Sequence, residues 1–491
     1  MSSSKPPVRV RFAPSPTGVL HIGGMRSALF NWLWARHSHG TYILRIEDTD
    51  RARLVEGSID QIYASHDALG ITPDEGPVQG GPLGPYVQSE RQEQGIYADH
   101  AEQLLATGAL YRCWCSPERL TKLREEAQAH GMAFKYDRHC LIPENQKTIA
   151  EPHVLRFRIP EKPAVIGWDD AVRGHLEFRA EDLDDFVTIK ADGFPTYQFA
   201  NVVDDHLMEI SHVLRADEWL PSTPKHLLLY AAFDWEPPVF AHLPAVQGPT
   251  GGKKLSKREG ARSVQEYVNE GYLPEALRSY LATLGWNDGT TQEIYTTPEL
   301  VLGFTLDRIQ KSPARFNLER LNWVNGKVIR DLWKTDPDEL LKQCELFWPE
   351  AAGSATAKYK RGVLSLVQDR LTKLSDLPEL TEFFFSDPQI DPAMLTRQLD
   401  APTASRALST LQAALTALPA GEWTEEKLES TIRPLTEQLG LKTGHFFGLI
   451  RVALTGRTAA PGLFETMVVL GKERSISRLM NAASAALPPP R

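Results

Sequence analysis

Residues Arg11 to Gly24 read RFAPSPTGVLHIGG, a turn rich in proline and glycine with one histidine. It follows the alternating run Val8–Phe12, which reads as a strand, and the residues from Ile22 onward read as a helix. A helix N-terminus presents amides without intrahelical partners and carries partial positive charge, so a phosphate can sit against it. Gly18, Gly23 and Gly24 would let backbone approach closely, and Pro14 and Pro16 would stiffen the turn. His21 would add a donor to a phosphoryl oxygen. Taken alone, the same string also fits a plain strand-to-helix turn with a surface histidine.

A second candidate is KKLSKREGAR, residues 253–262, in which five of ten residues are Lys or Arg. Lys254 and Lys257, with Ser256 between them, would neutralise charge that builds on a leaving pyrophosphate. A lone charge run is more often a solvated face. A third is the set Cys113, Cys115, Tyr136, His139 and Cys140, spaced C-x-C, twenty residues, then Y-x3-C. Three thiols in one short segment either hold zinc, with Tyr136 or His139 as fourth ligand, or remain unmetallated. Cys344 stands apart and reads as core.

The elements that must position these groups follow a β-α-β-α rhythm. After the opening turn, Met25, Leu29, Trp32 and Leu33 fall at helical spacing. TYILRI then reads as a strand, and Ile59, Ile62, Tyr63 and Leu69 mark another helix. This order argues for a parallel sheet. The rhythm breaks over residues 108–185, read as an insert, and resumes at DFVTIKADGFPTYQFANVVDDH. In a doubly wound sheet the loops at the carboxyl ends of the strands face one crevice, so the lysine loop could close over the opening turn. Beyond residue 260 the pattern is nearly all helical.

With 491 residues the chain needs several cores. Four cysteines are too few for a disulfide scaffold and point to a reducing, cytoplasmic setting. The opening MSSSKPPVRV has no apolar signal core, and no apolar run reaches a membrane span. The formal charge of −9 neither advertises nor excludes a nucleic-acid partner.

The order strand, HIGG, insert, KLSKR, helical half resembles the class I aminoacyl-tRNA synthetases. HIGG is similar to their HIGH motif, with Gly24 in place of the last histidine. KLSKR is similar to KMSKS, with Leu255 and Arg258 as departures. RIEDTDRAR, GPYVQSER, DGFPTYQFANVVDDH and RADEW narrow the resemblance to glutamyl-tRNA synthetases, over nearly the whole chain. It implies an α/β plus all-α architecture: a Rossmann-like catalytic domain (1–107 and 186–259), an inserted α+β acceptor-binding domain (108–185), a helical stem-contact domain (260–330) and an α-helical anticodon-binding bundle (331–491, split near 386).

The implied partners are ATP with Mg2+, L-glutamate and tRNA(Glu), with the chain a monomer. For the nucleotide the resemblance marks Pro14, His21, Gly23, Gly24, Glu218 and Lys257. Glutamate would meet Arg11, Ala13, Ser15, Glu47, Tyr197, Asn201 and Arg215. Two carboxylates call for guanidinium forks and the ammonium for a carboxylate, which suits Arg11, Arg215 and Glu47. Tyr197 and Asn201, four apart on a helix, share a face. Each has a plainer role: Glu47 or Asp48 as a helix cap, Arg215 paired with Asp217 or Glu218, Tyr197 as core. Arg370 and Arg451 match anticodon contacts, and Arg370 favours restriction to tRNA(Glu). Alternatives are an enzyme that also charges tRNA(Gln), or a catalytically dead RNA-binding paralogue. The synthetases resembled here in part carry a zinc site at the cysteines, usually ending Cys-Arg-His, from which RHC departs.

Overall fold

The structure, a computed structural model, describes residues 7–18, 20–251, 255 and 262–487. The chain forms two compact units, Met1–Asn269 with Pro274–Leu321, and Glu270–Leu273 with Asn322–Arg491.

In the first unit β1 (Arg9–Phe12) leads into α1 (Ile22–His37), β2 (Thr41–Leu44) and α2 (Ser58–Leu69). Helices α3 (Gln88–Glu93) and α4 (Ile96–Ala106) follow. The insert carries β3 (Leu110–Cys113), α5 (Pro117–Ala129), β4 (Val154–Phe157), β5 (Val165–Asp170), β6 (Gly174–Arg179) and β7 (Val187–Ile189). Then come α6 (Tyr197–Leu207), β8 (His212–Ala216), α7 (Thr223–Ala232) and β9 (Val239–Leu243).

Strands β2, β1, β8 and β9 form one parallel sheet in that order. Its apolar side chains, among them Val10, Ile43, Val213 and Phe240, are buried, as a sheet covered on both faces requires. The chain leaves β1 for one neighbour and returns beside its other edge at β8. A crevice therefore opens at the carboxyl ends of β1 and β8. Helix α1 buries the expected Met25, Leu29, Trp32 and Leu33, and also Asn31, whose amide donates to the Leu214 carbonyl at 3.1 Å.

Two features of the insert depart from the sequence reading. The segment HLEFRA, which reads as a strand, forms β6, but its partner β5 has no strand signal in the sequence reading, although every second residue of it, Ile166, Trp168 and Asp170, is buried. Strand β7, read as the resumption of the α/β unit, pairs antiparallel with β4. A boundary at 185/186 thus runs through the insert's own sheet. Alternation marks a strand but does not say which sheet it joins.

The second unit is helical. Ala401–Ala417 packs against Lys472–Ala485, burying Leu408, Leu411, Leu415 and Leu479. One apolar cluster runs from Val363 and Phe384 through to these helices, so residues on either side of 386 share a core. Arg478 reinforces this, donating to the Ser386 carbonyl at 2.8 Å and to Asp387 at 3.0 Å. The Ser-Asp-Pro punctuation there turns the chain without dividing it. No helix among the described residues is long and apolar enough to cross a membrane.

Candidate active site

Strands β1 and β8 end at a cavity of about 400 Å3. The turn after β1 supplies Ala13, Pro14 and Ser15, and the strand itself supplies Arg11. Glu47 enters just beyond β2, Tyr197 and Asn201 from one face of α6, and Arg215 from β8. All seven residues expected at glutamate thus line one space. Gly24 also lines it, whereas the lining among the described residues does not include His21, Gly23 or Glu218.

Arg215 is 6% exposed and makes no ion pair among the described residues. Asp217, one of its two expected structural partners, is held instead by Arg173 at 2.7 Å. Every acceptor around Arg215 is neutral. Nε donates to His242 Nε2 at 3.1 Å, Nη1 to the Tyr197 hydroxyl at 3.2 Å, and Nη2 to Thr223 Oγ1 at 2.8 Å and the Trp219 carbonyl at 3.3 Å. Burial pulls its pKa below the usual value, though a guanidinium still stays charged at neutral pH. Of those partners Tyr197 and Trp219 line the cavity, one on each terminal nitrogen. Arg215 itself lines the cavity, and an incoming carboxylate would take over its longer bonds, from Nη1 to Tyr197 and His226 and from Nη2 to Trp219.

A buried charge network backs the cavity-lining Arg11 and Glu47. Asp205 takes the Arg11 fork at 2.9 and 3.1 Å and Arg45 Nη1 at 2.7 Å. Arg45 passes on to Glu47 at 3.0 Å, and Glu47 also accepts the Asn201 amide at 2.9 Å. Asp204, one residue earlier, accepts Arg91 at 2.6 Å, Gln88 at 2.7 Å and the Tyr97 hydroxyl at 3.0 Å. Burial raises the Glu47 pKa, against the pull of Arg45 and Arg11. Asp48 takes the capping role, accepting the Ser89 amide at 2.8 Å at the start of α3, and Glu47 does not. Arg45, Arg91, Asp204 and Asp205 escaped the sequence reading. The adjacent acids of VVDDH, on a helix whose face carries Tyr197 and Asn201, were the available signal.

His21 is the N-cap of α1, with extended backbone. A Cβ on Gly23 would meet the His21 ring at 3.3 Å, so this glycine makes room for the imidazole. The amide cradle is narrower than expected. Ile22 N–H donates to the Arg262 carbonyl at 2.8 Å and Gly24 N–H to the His21 carbonyl at 2.9 Å. Lys254, Ser256 and Lys257 lie outside the described residues. Glu218 sits exposed in the turn after β8.

In the insert, the thiols of Cys113, Cys115 and Cys140 lie within 4.8 Å of one another. The Tyr136 hydroxyl is 3.4 Å from the Cys113 sulfur and 3.3 Å from that of Cys115. His139 turns instead to Asn145, at 3.2 Å. Cys344 is buried in the second unit, and burial pushes its thiol up to about 12. In that unit Arg370 is exposed and donates to the Ala460 carbonyl at 3.1 Å, and Arg451 lies on the helix Thr443–Thr455.

The family described as tRNA synthetases class I (E and Q), catalytic domain, matches residues 7–323, and an anticodon binding domain family matches 339–483. The chain belongs to the class I tRNA synthetases of the glutamate and glutamine type. Within them it falls with the glutamate–tRNA ligases. The ligase of Roseiflexus sp. (strain RS-1) is 48% identical, over 99% of this chain and 98% of its own. That of Dehalococcoides mccartyi (strain BAV1) is 46% identical, over 97% of each. A crystal structure of a glutamate tRNA ligase from Elizabethkingia meningosepticum, in complex with its amino acid, superposes with TM-score 0.87 at 35% identity, covering 97% of this chain and 99% of that one.

Proposed function

We propose that the cavity between β1 and β8 seats L-glutamate for activation by ATP. The side-chain carboxylate lies against the terminal nitrogens of Arg215, displacing their longer bonds, and the ammonium lies between Glu47 and Asn201. The α-carboxylate oxygen then attacks the α-phosphorus of ATP, forming the acyl–phosphate bond as the bond to pyrophosphate breaks. His21 and Lys257 bear on the phosphates, and Mg2+ travels with the triphosphate. In the second step the terminal ribose hydroxyl of tRNA(Glu) attacks the acyl carbon, loses its proton and releases AMP. No protein nucleophile is needed, so positioning and charge stabilisation carry the rate.

The observation that carries this reading is Arg215, buried and without an anionic partner among the described residues. A buried unpaired charge costs several kcal/mol, roughly 3–5 when one partner of a pair is removed. Glutamate supplies the missing charge and glutamine does not. ATP–pyrophosphate exchange with each amino acid, with and without tRNA, tests it. Glutamate alone should support exchange, and Arg215→Ala should raise its KM sharply; an unchanged KM would reassign the side-chain pocket.

Restriction to tRNA(Glu) rests on Arg370 and Arg451, whose guanidiniums can donate to base edges in a loop. Charging tRNA(Glu) and tRNA(Gln) side by side decides it. The cysteine cluster fits Zn2+, since three thiolates and a phenol oxygen can close a tetrahedral site. Cys113, Cys115, Cys140 and Tyr136 would hold it, and the ion would serve structure in the insert.

A further inference from the structure

Strands β8 and β9 pair so that Arg215 stands opposite His242. His242 is fully buried, and its Nδ1 lies 2.5 Å from Asp170 Oδ2, at the end of β5. The other oxygen of Asp170 accepts the backbone amides of Val172 at 3.0 Å, Arg173 at 2.9 Å and His242 at 3.2 Å. Burial would raise the Asp170 pKa, but the His242 bonds and these amides outweigh it and hold the carboxyl ionised. An ionised Asp170 can only accept, so the His242 proton sits on Nδ1 and the Nε2 lone pair receives Arg215 Nε at 3.1 Å and the Thr223 hydroxyl, itself an acceptor of Arg215 Nη2, at 3.2 Å. A second imidazole, His226, places Nδ1 3.4 Å from Arg215 Nη1 and is kept neutral by its burial and by the Arg215 charge.

We infer that Asp170 and His242 are positioning residues for amino-acid selection: the Asp170–His242 relay fixes the plane of the Arg215 guanidinium through a lone pair instead of a counter-charge. A carboxylate in direct contact with Arg215 would hold the fork equally well, but it would cancel the charge that the guest must supply. The imidazole separates the two tasks. Asp170 sets the tautomer, His242 orients the fork on its Nε side, and the edge toward the cavity keeps its charge. This inference rests on the proposed role of Arg215 and adds the groups that make it selective.

The test is ATP–pyrophosphate exchange in the presence of tRNA, on the full chain. His242→Phe removes the acceptor at similar size. It should raise the glutamate KM about tenfold or more, the scale of one buried hydrogen bond, with ATP KM and kcat nearly unchanged. His242→Gln, whose side-chain oxygen can accept from Nε, should recover most of that loss. Asp170→Asn should raise the glutamate KM in the native background but add nothing to His242→Gln, because its effect passes through the imidazole. An unchanged glutamate KM in His242→Phe would overturn the inference. So would additive effects of Asp170→Asn and His242→Gln, or a rise of both KM values together with a fall of kcat and no rescue. If His242→Phe does not fold, the Asp170→Asn and His242→Gln pair decides alone. Arg215→Gln separates the two levels: if it too leaves glutamate KM unchanged, the pocket assignment fails, whereas an effect confined to Arg215 sinks only the relay.

Discussion

The Asn201 side-chain amide donates to Glu47 Oε1 at 2.9 Å, joining α6 to the chain just beyond β2. The bond uses one of the two Asn201 N–H donors, and the side-chain oxygen is buried with no hydrogen-bond partner among the described residues. Two acceptors, one charged and one neutral, thus stand on the same wall of the cavity. That pair is what an α-ammonium needs.

Glu47 must be ionised to receive that ammonium, and burial raises its pKa. Its proton should therefore return at a higher pH than for an exposed glutamate. Glutamate KM in the exchange assay should climb on acidification while ATP KM stays flat. Glu47→Gln should give a high glutamate KM at every pH and abolish the slope. A slope that survives in Glu47→Gln would assign the titration to another group.

Asp205 is the joint of the buried network. Burial alone would raise its pKa, but the Arg11 and Arg45 guanidiniums outweigh this and hold it low. A depressed folded-state pKa means stability that is present above the unfolded value and lost as pH falls through the folded one. Asp205→Asn leaves two buried guanidiniums short of a charge, which should cost about 3–5 kcal/mol in urea or thermal unfolding at neutral pH. The variant should also lose part of the acid sensitivity of the native chain. Equal stability at pH 7 would show that Arg45 finds enough charge in Glu47 and Asp204.

Lys257, which lies outside the described residues, is proposed to neutralise charge on the leaving pyrophosphate. Lys257→Ala should slow adenylate formation by roughly two orders of magnitude or more, as removal of a transition-state charge contact does. Affinity for tRNA, measured by filter binding, should change little. Equal single-turnover rates would count against the loop.

The thiol cluster predicts about one zinc per chain by elemental analysis of protein purified without chelator. Burial pushes the Cys115 thiol up to about 11, so the ion must displace protons to bind. Zinc uptake by stripped protein should acidify weakly buffered solution. Cys140→Ser should lose the metal and lower the melting temperature. A metal-free native protein with an unchanged melting temperature would leave the cluster as plain thiols.

How much of this was legible differs by residue. Arg11, Glu47, Tyr197, Asn201 and Arg215 stand in strings whose resemblance to glutamyl-tRNA synthetases implied a glutamate site, and they line one cavity. The parallel sheet followed from the β-α-β-α order. Arg45, Asp170 and His242 were not legible, because their partners are set by strand order and lie far off in sequence. Arg45 and Asp205, for example, are separated by 160 residues. Strand β5, VIGWDD, alternates in burial but not in residue type, so its sequence carries no period-two signal. Strand β7 left a trace of the right kind with no indication of its sheet.

The separation of Arg45 from its acids bears on how the chain is made. During synthesis the ribosome releases β1, α1 and β2 long before α6 exists. Until then Arg11 and Arg45 lack the carboxylate they share in the finished protein, and only Glu47 stands near Arg45. Desolvating these cations early would be unfavourable, so the nascent amino-terminal portion should stay open and hydrated until Asp205 emerges. The inserted segment is then already synthesised when the catalytic sheet first closes, and chaperone contact should fall in that interval.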